Sequence, residues 1–401
     1  MRILFIATGF RRVGGFIRYM GLARGLTALG HQVDVILGQK KFSFRPCVQT
    51  VNGINLHNVP YLGGIETMEL LTDYMPETKL PLDVVYRTII TMQRSTEYDV
   101  IHAFDPGFNV AIPFVFASLR SKGPLMVYDW CDLWDNGIIT PPESGFLRRL
   151  DYRLTVGLEP LVHRYADGIT VVSKFLYERA LRFGLSPDQV SIIGCGADVE
   201  TIRECPIHEA RRLTGLDSTS FLIGFSGFFN PDAAILAMTM AALRKTEPDA
   251  KLLYLGPISP HFDSLVRKFN LSDVVIQVGS LPHTKVGMYL SACNLFILPF
   301  TGKPLNIARW PIKLGDYLAA GRPVVAGNHG EVGSFFSAHP GIGITCDDTP
   351  ESFANSIISL KNNPLECEQV GKQARIVAVS ALSWTDKAKE TQALYDRLQP
   401  R

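Results

Sequence analysis

The segment NIARWPIKLGDYLAAGRPVV (306–325) carries Arg309, Lys313 and Asp316 at i, i+4 and i+7. Pro311 suits the first position of a helix, while Ala319-Ala320-Gly321 and then Pro323 suit its end. As far as the segment is helical, the three charges share one side. Two cations then crowd the end of a helix whose dipole is already positive, at a cost of roughly a few tenths of a kcal/mol. An anion would remove that cost, so the predicted chemistry is anion binding. The alternative is a helix whose charges face water or pair with one another, against which the Arg309–Lys313 repulsion counts.

A second concentration is VYDWCDLWDNG (127–137), where Asp129, Asp132 and Asp135 alternate with Trp130 and Trp134 after an apolar strand. A carboxylate here could orient or deprotonate an acceptor hydroxyl, with Asp129 and Asp132 the candidates. The faces of Trp130 and Trp134 could stack on a sugar or an aglycone. Loop and capping roles are the alternative for each aspartate. The spacing is not D-x-D, and no metal is expected. His102, in VIHAF at the end of a strand, is either a packing residue or a further catalytic candidate. Gly14-Gly15 lies between the first strand and a helix, where a backbone can approach a ligand closely. The pattern is not G-x-G-x-x-G, and no acidic residue follows the second strand to grip a ribose, which disfavours dinucleotide binding.

The elements that must position these residues recur regularly. Apolar runs at 2–7, 32–38, 99–104, 125–130, 168–173 and 190–194 form one series, and runs at 221–226, 251–256, 274–279, 295–300, 323–327 and 342–346 form another. Helix-length segments separate them, as in buried parallel strands of βα units. The fold class is therefore α/β, with two doubly wound, Rossmann-like domains, and their carboxyl ends are expected to face across a cleft. The 401-residue length suits two domains. The seam is placed at 195/196, with a tail helix over about 384–401.

A net charge of +2 excludes a general pull toward nucleic acid. Basic stretches at 9–18, 39–45 and 146–153 are read as solvated surface, or as contacts with an acceptor or an anionic membrane. The seven cysteines are scattered, with no C-x-x-C pair, which points to a reducing, cytoplasmic setting and away from disulfides or zinc. The first apolar run, before Arg11-Arg12, reads as a strand and not as a signal peptide.

Several stretches in order carry a resemblance: LARGLTALGHQVDVI with YDVIHAFD, LEPLVHRYADGITVVSKFLYERALRFGLSPDQVSIIGCGAD, VVIQVGSLPHTKVGMYLSACNLFILPF, the 306–325 segment, AGNHGEVG and LSWTDKAKETQALY. Together they resemble family-4 (group 1) glycosyltransferases of the GT-B fold over essentially the whole chain. The resemblance implies an acceptor-binding first domain and a donor-binding second one, with the tail helix returning to the first. It implies a nucleotide diphosphate sugar as donor substrate and no separate cofactor. Arg309 and Lys313 would neutralise the diphosphate beside the backbone N–H groups of residues about 307–311, including Ile307 and Ala308. Asp316 would bind ribose hydroxyls, Asn306 and Glu331 would lie at the donor sugar, and Gly227 would belong to the donor site. Gly14, Gly15, Trp130 and Trp134 would serve the acceptor.

Two departures from the family pattern stand out. The usual Glu, seven residues, Glu is here Ala308 and Asp316, and the usual Arg and Lys after the second domain's first glycine are Phe228 and Phe229. Transfer to a hydroxyl acceptor with retention, in polysaccharide or glycolipid assembly, is the expected activity. A non-catalytic GT-B partner protein and a nucleotide-sugar epimerase are the alternatives.

Overall fold

The computed structural model describes residues 1–8, 14–38, 45–60, 81–104, 107–120, 123–135, 137, 146–227 and 232–399. The chain divides into two compact units, Met1–Gly194 with Trp384–Arg401, and Cys195–Ser383.

The first unit holds an eight-stranded sheet built from β1 (Arg2–Ile6), β2 (Gln32–Gly38), β3 (Cys47–Val51), β4 (Ile54–Val59), β5 (Val100–Phe104), β6 (Leu125–Trp130), β7 (Gly168–Val171) and β8 (Val190–Ile192). Their order is β3-β4-β2-β1-β5-β6-β7-β8. All neighbours are parallel except β3 and β4, which pair antiparallel across Asn52-Gly53. Both turn residues have positive φ, 50° and 77°, the mirror-image turn that matches strand twist and that Asn-Gly favours. The apolar-run reading of the sequence missed this hairpin because β3 is exposed along its whole length; the Asn-Gly pair was the available signal.

Helix Gly14–Ala28 follows β1, and helix Trp384–Leu398 packs along it. A Cβ on Gly21 would fall 2.2 Å from the Trp384 indole, and one on Gly25 would fall 2.4 Å from the Trp384 carbonyl oxygen. Glycine at both positions lets the helices approach to backbone contact.

The second unit holds a fully parallel six-stranded sheet of β9 (Phe221–Ser226), β10 (Ala250–Leu255), β11 (Val275–Gly279), β12 (Leu295–Leu298), β13 (Val324–Gly327) and β14 (Gly343–Cys346). The order β11-β10-β9-β12-β13-β14 reverses direction between β9 and β12. That reversal opens a crevice at the carboxyl ends of the two strands. Apolar clusters cover both faces, one including Phe296, Leu314, Tyr317 and Leu318, the other Phe225, Leu236, Tyr254 and Phe262. Two arginines, Arg322 buried and Arg375 half-buried, fasten the entry segment to this unit. Arg322 donates to the Cys205 carbonyl at 2.7 Å, and Arg375 donates to the carbonyls of Val199 at 2.9 Å and Ile202 at 2.7 Å.

The 306–325 segment departs from the single helix predicted for it. A short helix, Pro304–Ala308, precedes helix Ile312–Ala319. Pro311 is the cap residue before the second helix, not its first turn, and Arg309 is extended (φ −113°, ψ 162°). The i, i+4, i+7 stripe therefore holds only for Lys313 and Asp316. The physical reason is Pro311, whose ring disfavours helical backbone at the residue before it and removes a donor.

Candidate donor site and the network beneath the first sheet

In the second unit two of the predicted donor residues, Gly227 and Lys313, meet beyond the end of β9. Gly227 follows β9 with φ 118°, and its backbone is set by two buried phenols. The Tyr254 hydroxyl donates to the Gly227 carbonyl at 3.0 Å, and the Ser226 N–H donates to the Tyr317 hydroxyl at 2.7 Å. Tyr317 lies on helix Ile312–Ala319, one residue beyond Asp316, and its ring stacks on Phe296 at 4.0 Å. The same helix carries Lys313, whose ammonium would stand 3.0 Å from a Cβ at Gly227. A side chain at 227 would therefore compete with Lys313 for this space.

Lys313 is half-buried, and its ammonium sits 4.1 Å from the centre of the Phe225 ring. Among the described residues it has no carboxylate or hydrogen-bond partner. Burial, and then the neighbouring Arg309 charge, push its pKa down to about 7, with Asp232 opposing them. Arg309 lies over the Phe300 ring at 5.5 Å and donates to the Asn306 side-chain oxygen at 2.8 Å.

Asn306 is fully buried, and its amide donates to Asp232 at 2.7 Å and to the Thr301 carbonyl at 3.0 Å. Asp232 in turn accepts from Thr301 at 2.7 Å and pairs with Lys303 at 2.9 Å. This corrects the placement of Asn306 at the donor sugar, because its donors and acceptor are spent inside the protein, where they hold Arg309. Ala308 is likewise fully buried and offers no side-chain contact. The N–H groups of Ile307 and Arg309 are bonded to the carbonyls of Lys303 and Asn306, so they are not the free donors expected there. Glu331 opens helix Gly330–Ala338, whose Gly330 lies against the Ile307 backbone. Sequence reasoning missed Asp232, Thr301, Lys303, Tyr254 and Tyr317. None belongs to a local motif, and they meet only because the strand ends converge.

The first unit revises the catalytic candidates. Asp129 lies within β6, 1% exposed, in a two-pronged ion pair with Arg18, both bonds 2.8 Å. Burial opposes its charge, but Arg18 overrides this and holds the carboxyl below the ordinary range. Arg18 also donates to the carbonyls of Ile193 and Gly194. Thr170 donates to Asp129 and stands 3.3 Å from His102 Nε2, while His102 Nδ1 is 2.7 Å from the Tyr395 hydroxyl.

One proton arrangement satisfies every member of the chain. Tyr395 donates to Nδ1, Nε2–H donates to Thr170, and Thr170 donates to the carboxylate. His102 is fully buried, and burial pushes its pKa down to about 3, so it stays neutral. Asp129 and His102 are therefore structural, tying β5, β6, β7 and two helices together, and neither presents to a substrate. Trp130 is fully buried against His163 at 4.5 Å, which removes it as a stacking surface.

Asp132 and Trp134 remain half-buried in the loop after β6, and the Tyr152 hydroxyl donates to Asp135 at 2.5 Å. Gly14 and Gly15 open the first helix; residues 9–13 before them lie outside the described residues. Arg18, read in the sequence as part of a basic surface stretch, is buried, whereas Arg149 and Arg153 are exposed. No described helix is long and apolar enough to cross a membrane.

Comparison with known proteins points the same way for both units. The family described as "Glycosyl transferase 4-like domain" matches residues 14–196, and "Glycosyl transferases group 1" matches residues 220–363. A Bacillus subtilis (strain 168) protein assigned to teichuronic acid biosynthesis as the glycosyltransferase TuaH is 27% identical over 207 residues, 51% of this chain and 50% of that one. The chain thus spans about half the length of this curated relative. Sucrose-phosphate synthase from Thermosynechococcus elongatus superposes with a TM-score of 0.73 at 20% identity, covering 99% of each chain. HepE of Anabaena, solved with UDP and glucose, superposes with a TM-score of 0.68 at 16% identity, again covering 99% of each.

Proposed function

Because the chain belongs to the group 1 glycosyltransferases with the GT-B fold, we propose that it moves a sugar from a nucleotide diphosphate donor to a hydroxyl acceptor, in the assembly of a polysaccharide or glycoconjugate. The observation that carries this reading is Lys313, without a carboxylate or hydrogen-bond partner among the described residues, beside Arg309 at the first turn of a helix and over a glycine turn. A diphosphate laid across Gly227 would give Lys313 an acceptor and relieve the repulsion between it and Arg309 at the positive end of the helix. HepE, with the same fold, was solved with UDP and glucose, which supports a nucleotide-linked sugar as the donor class.

Catalysis on this reading is charge stabilisation of the leaving diphosphate, with the two substrates held in place. The bond from the anomeric carbon to the phosphate oxygen breaks and a bond to the acceptor oxygen forms. With Asp129 and His102 committed to packing, the acceptor proton passes to the departing phosphate, which favours retention. Asp132 is the remaining carboxylate candidate on the acceptor side, with Trp134 beside it, and Glu331 and Asp316 are the polar groups offered to the donor sugar and ribose.

The panel that tests the reading is UDP-, GDP-, ADP-, CMP- and dTDP-linked sugars, screened by thermal shift and titrated by calorimetry. One donor class is expected to bind. Lys313→Ala should weaken it about 10- to 100-fold, the worth of a charged hydrogen bond of roughly 1.5–3 kcal/mol, while remaining folded. Unchanged affinity in that variant would overturn the reading. The buried Ala308 favours a second reading, in which the protein binds the donor without transferring it. Release of nucleotide diphosphate on incubation with the bound donor separates an enzyme from such a partner.

A further inference from the structure

We propose that donor binding at this site is coupled to protonation of Lys313, so that the crevice takes up a nucleotide sugar and a proton from solvent together. The inference rests on the donor-site reading and adds a regulatory property to it. Its basis is the geometry around the amine. Lys313 points across the start of its helix to the Gly227 turn, its Nζ lies on the face of Phe225, and no described carboxylate or carbonyl accepts from it.

The charged and titratable groups that face it come from every packed element. Arg309, on the extended turn before the helix, repels it. Asp232, at the foot of helix Ala233–Thr246, attracts it but is shared among Thr301, Asn306 and Lys303. Asp316 sits on the next turn of the same helix. The phenols of Tyr254 and Tyr317 flank the glycine turn, and burial pushes both upward, so they remain neutral. Repulsion and burial thus outweigh attraction in the unliganded site, which favours the free amine. A diphosphate reverses the balance, because its oxygens bring negative charge and acceptors to Nζ.

The depressed pKa of about 7 agrees with this geometry. A nucleotide sugar is a suitable probe because its diphosphate is doubly esterified and does not itself titrate near neutrality. UDP-glucose, GDP-mannose, ADP-glucose and dTDP-glucose would be titrated by calorimetry in buffers of different ionisation enthalpy, at about pH 6 and about pH 8.5.

The donor that binds is expected to take up close to one proton at the higher pH and close to none at the lower. Its affinity should fall about tenfold per pH unit above neutrality. Lys313→Arg, charged throughout this range, is expected to bind without proton uptake and with flat affinity. Binding by the wild-type protein without proton uptake at about pH 8.5 would overturn the coupling and leave the donor site standing. Failure of every donor to bind at about pH 6 would overturn the donor site itself, and the coupling with it. The wild-type measurement decides the matter even if the arginine variant does not fold.

Discussion

On the proposed donor reading, Lys313 is a residue held for binding at the expense of stability. Its amine is half-buried beside Arg309 with no described partner, an arrangement that folding alone would not favour. Its pKa falls from 10.5 to about 7, so between those values the unfolded chain binds more protons than the folded one. Stability therefore rises with pH across that window. Lys313→Met keeps the stem against Phe225 and removes the charge. It is expected to raise the melting temperature at pH 7 by about 2–4 °C per kcal/mol relieved and to abolish donor binding. The wild-type protein should gain on this variant as pH rises toward 9, followed by calorimetric melting, and parallel curves would rule the account out.

Asp129 is the opposite case. The sequence offers it as a base at the end of a strand, but the structure spends it on Arg18. Asp129→Asn leaves a buried guanidinium without its counter-charge, a loss of about 3–5 kcal/mol. Urea unfolding should show that loss, while the KM of the folded fraction stays unchanged. Joint replacement by Arg18→Met and Asp129→Leu should recover much of it. A large KM change in folded Asp129→Asn protein would restore Asp129 to the site.

At the scale of elements, helix Ile312–Ala319 is held near its carboxyl end by groups distant in sequence. Its Tyr317 hydroxyl takes the Ser226 N–H, and Arg375 donates to the Ala319 carbonyl at 2.7 Å. These contacts fix where Lys313 reaches. Helices Gly14–Ala28 and Trp384–Leu398 depend on a different device, the bare backbone of Gly21 and Gly25 against Trp384. Gly21→Val puts a branched side chain into the indole and is expected to undock the tail helix, costing several kcal/mol. Limited proteolysis should then cut near residue 384, and donor affinity in the second unit should persist. Resistance to cleavage would show that the tail has other sufficient anchors.

Elements of this kind were unequally legible in the sequence. Buried parallel strands announce themselves as apolar runs, because both faces are covered. The exposed β3 does not, and only Asn52-Gly53 marked its hairpin. The break at Pro311 was readable in principle, since a proline disfavours helical backbone at the residue before it.

At the scale of the whole molecule, the chain folds as two α/β units, with its last helix returned to the first. The periodicity of apolar runs, the glycine turns and the order of motifs along the chain determined that architecture without coordinates, as did the family to which the chain belongs. These are local properties, repeated often enough that errors at single elements do not matter. The fate of each charged side chain was decided only by tertiary structure. Asp129, His102 and Asn306 looked available for chemistry, but partners 41 to 293 residues away consume them. Lys313 looked like one cation of a helical stripe, yet the convergence of β9 and β12 leaves it without a carboxylate or hydrogen-bond partner among the described residues. Charge and hydrogen-bond satisfaction depend on which groups meet in space, and that is set by the packing of strand ends, not by spacing along the chain.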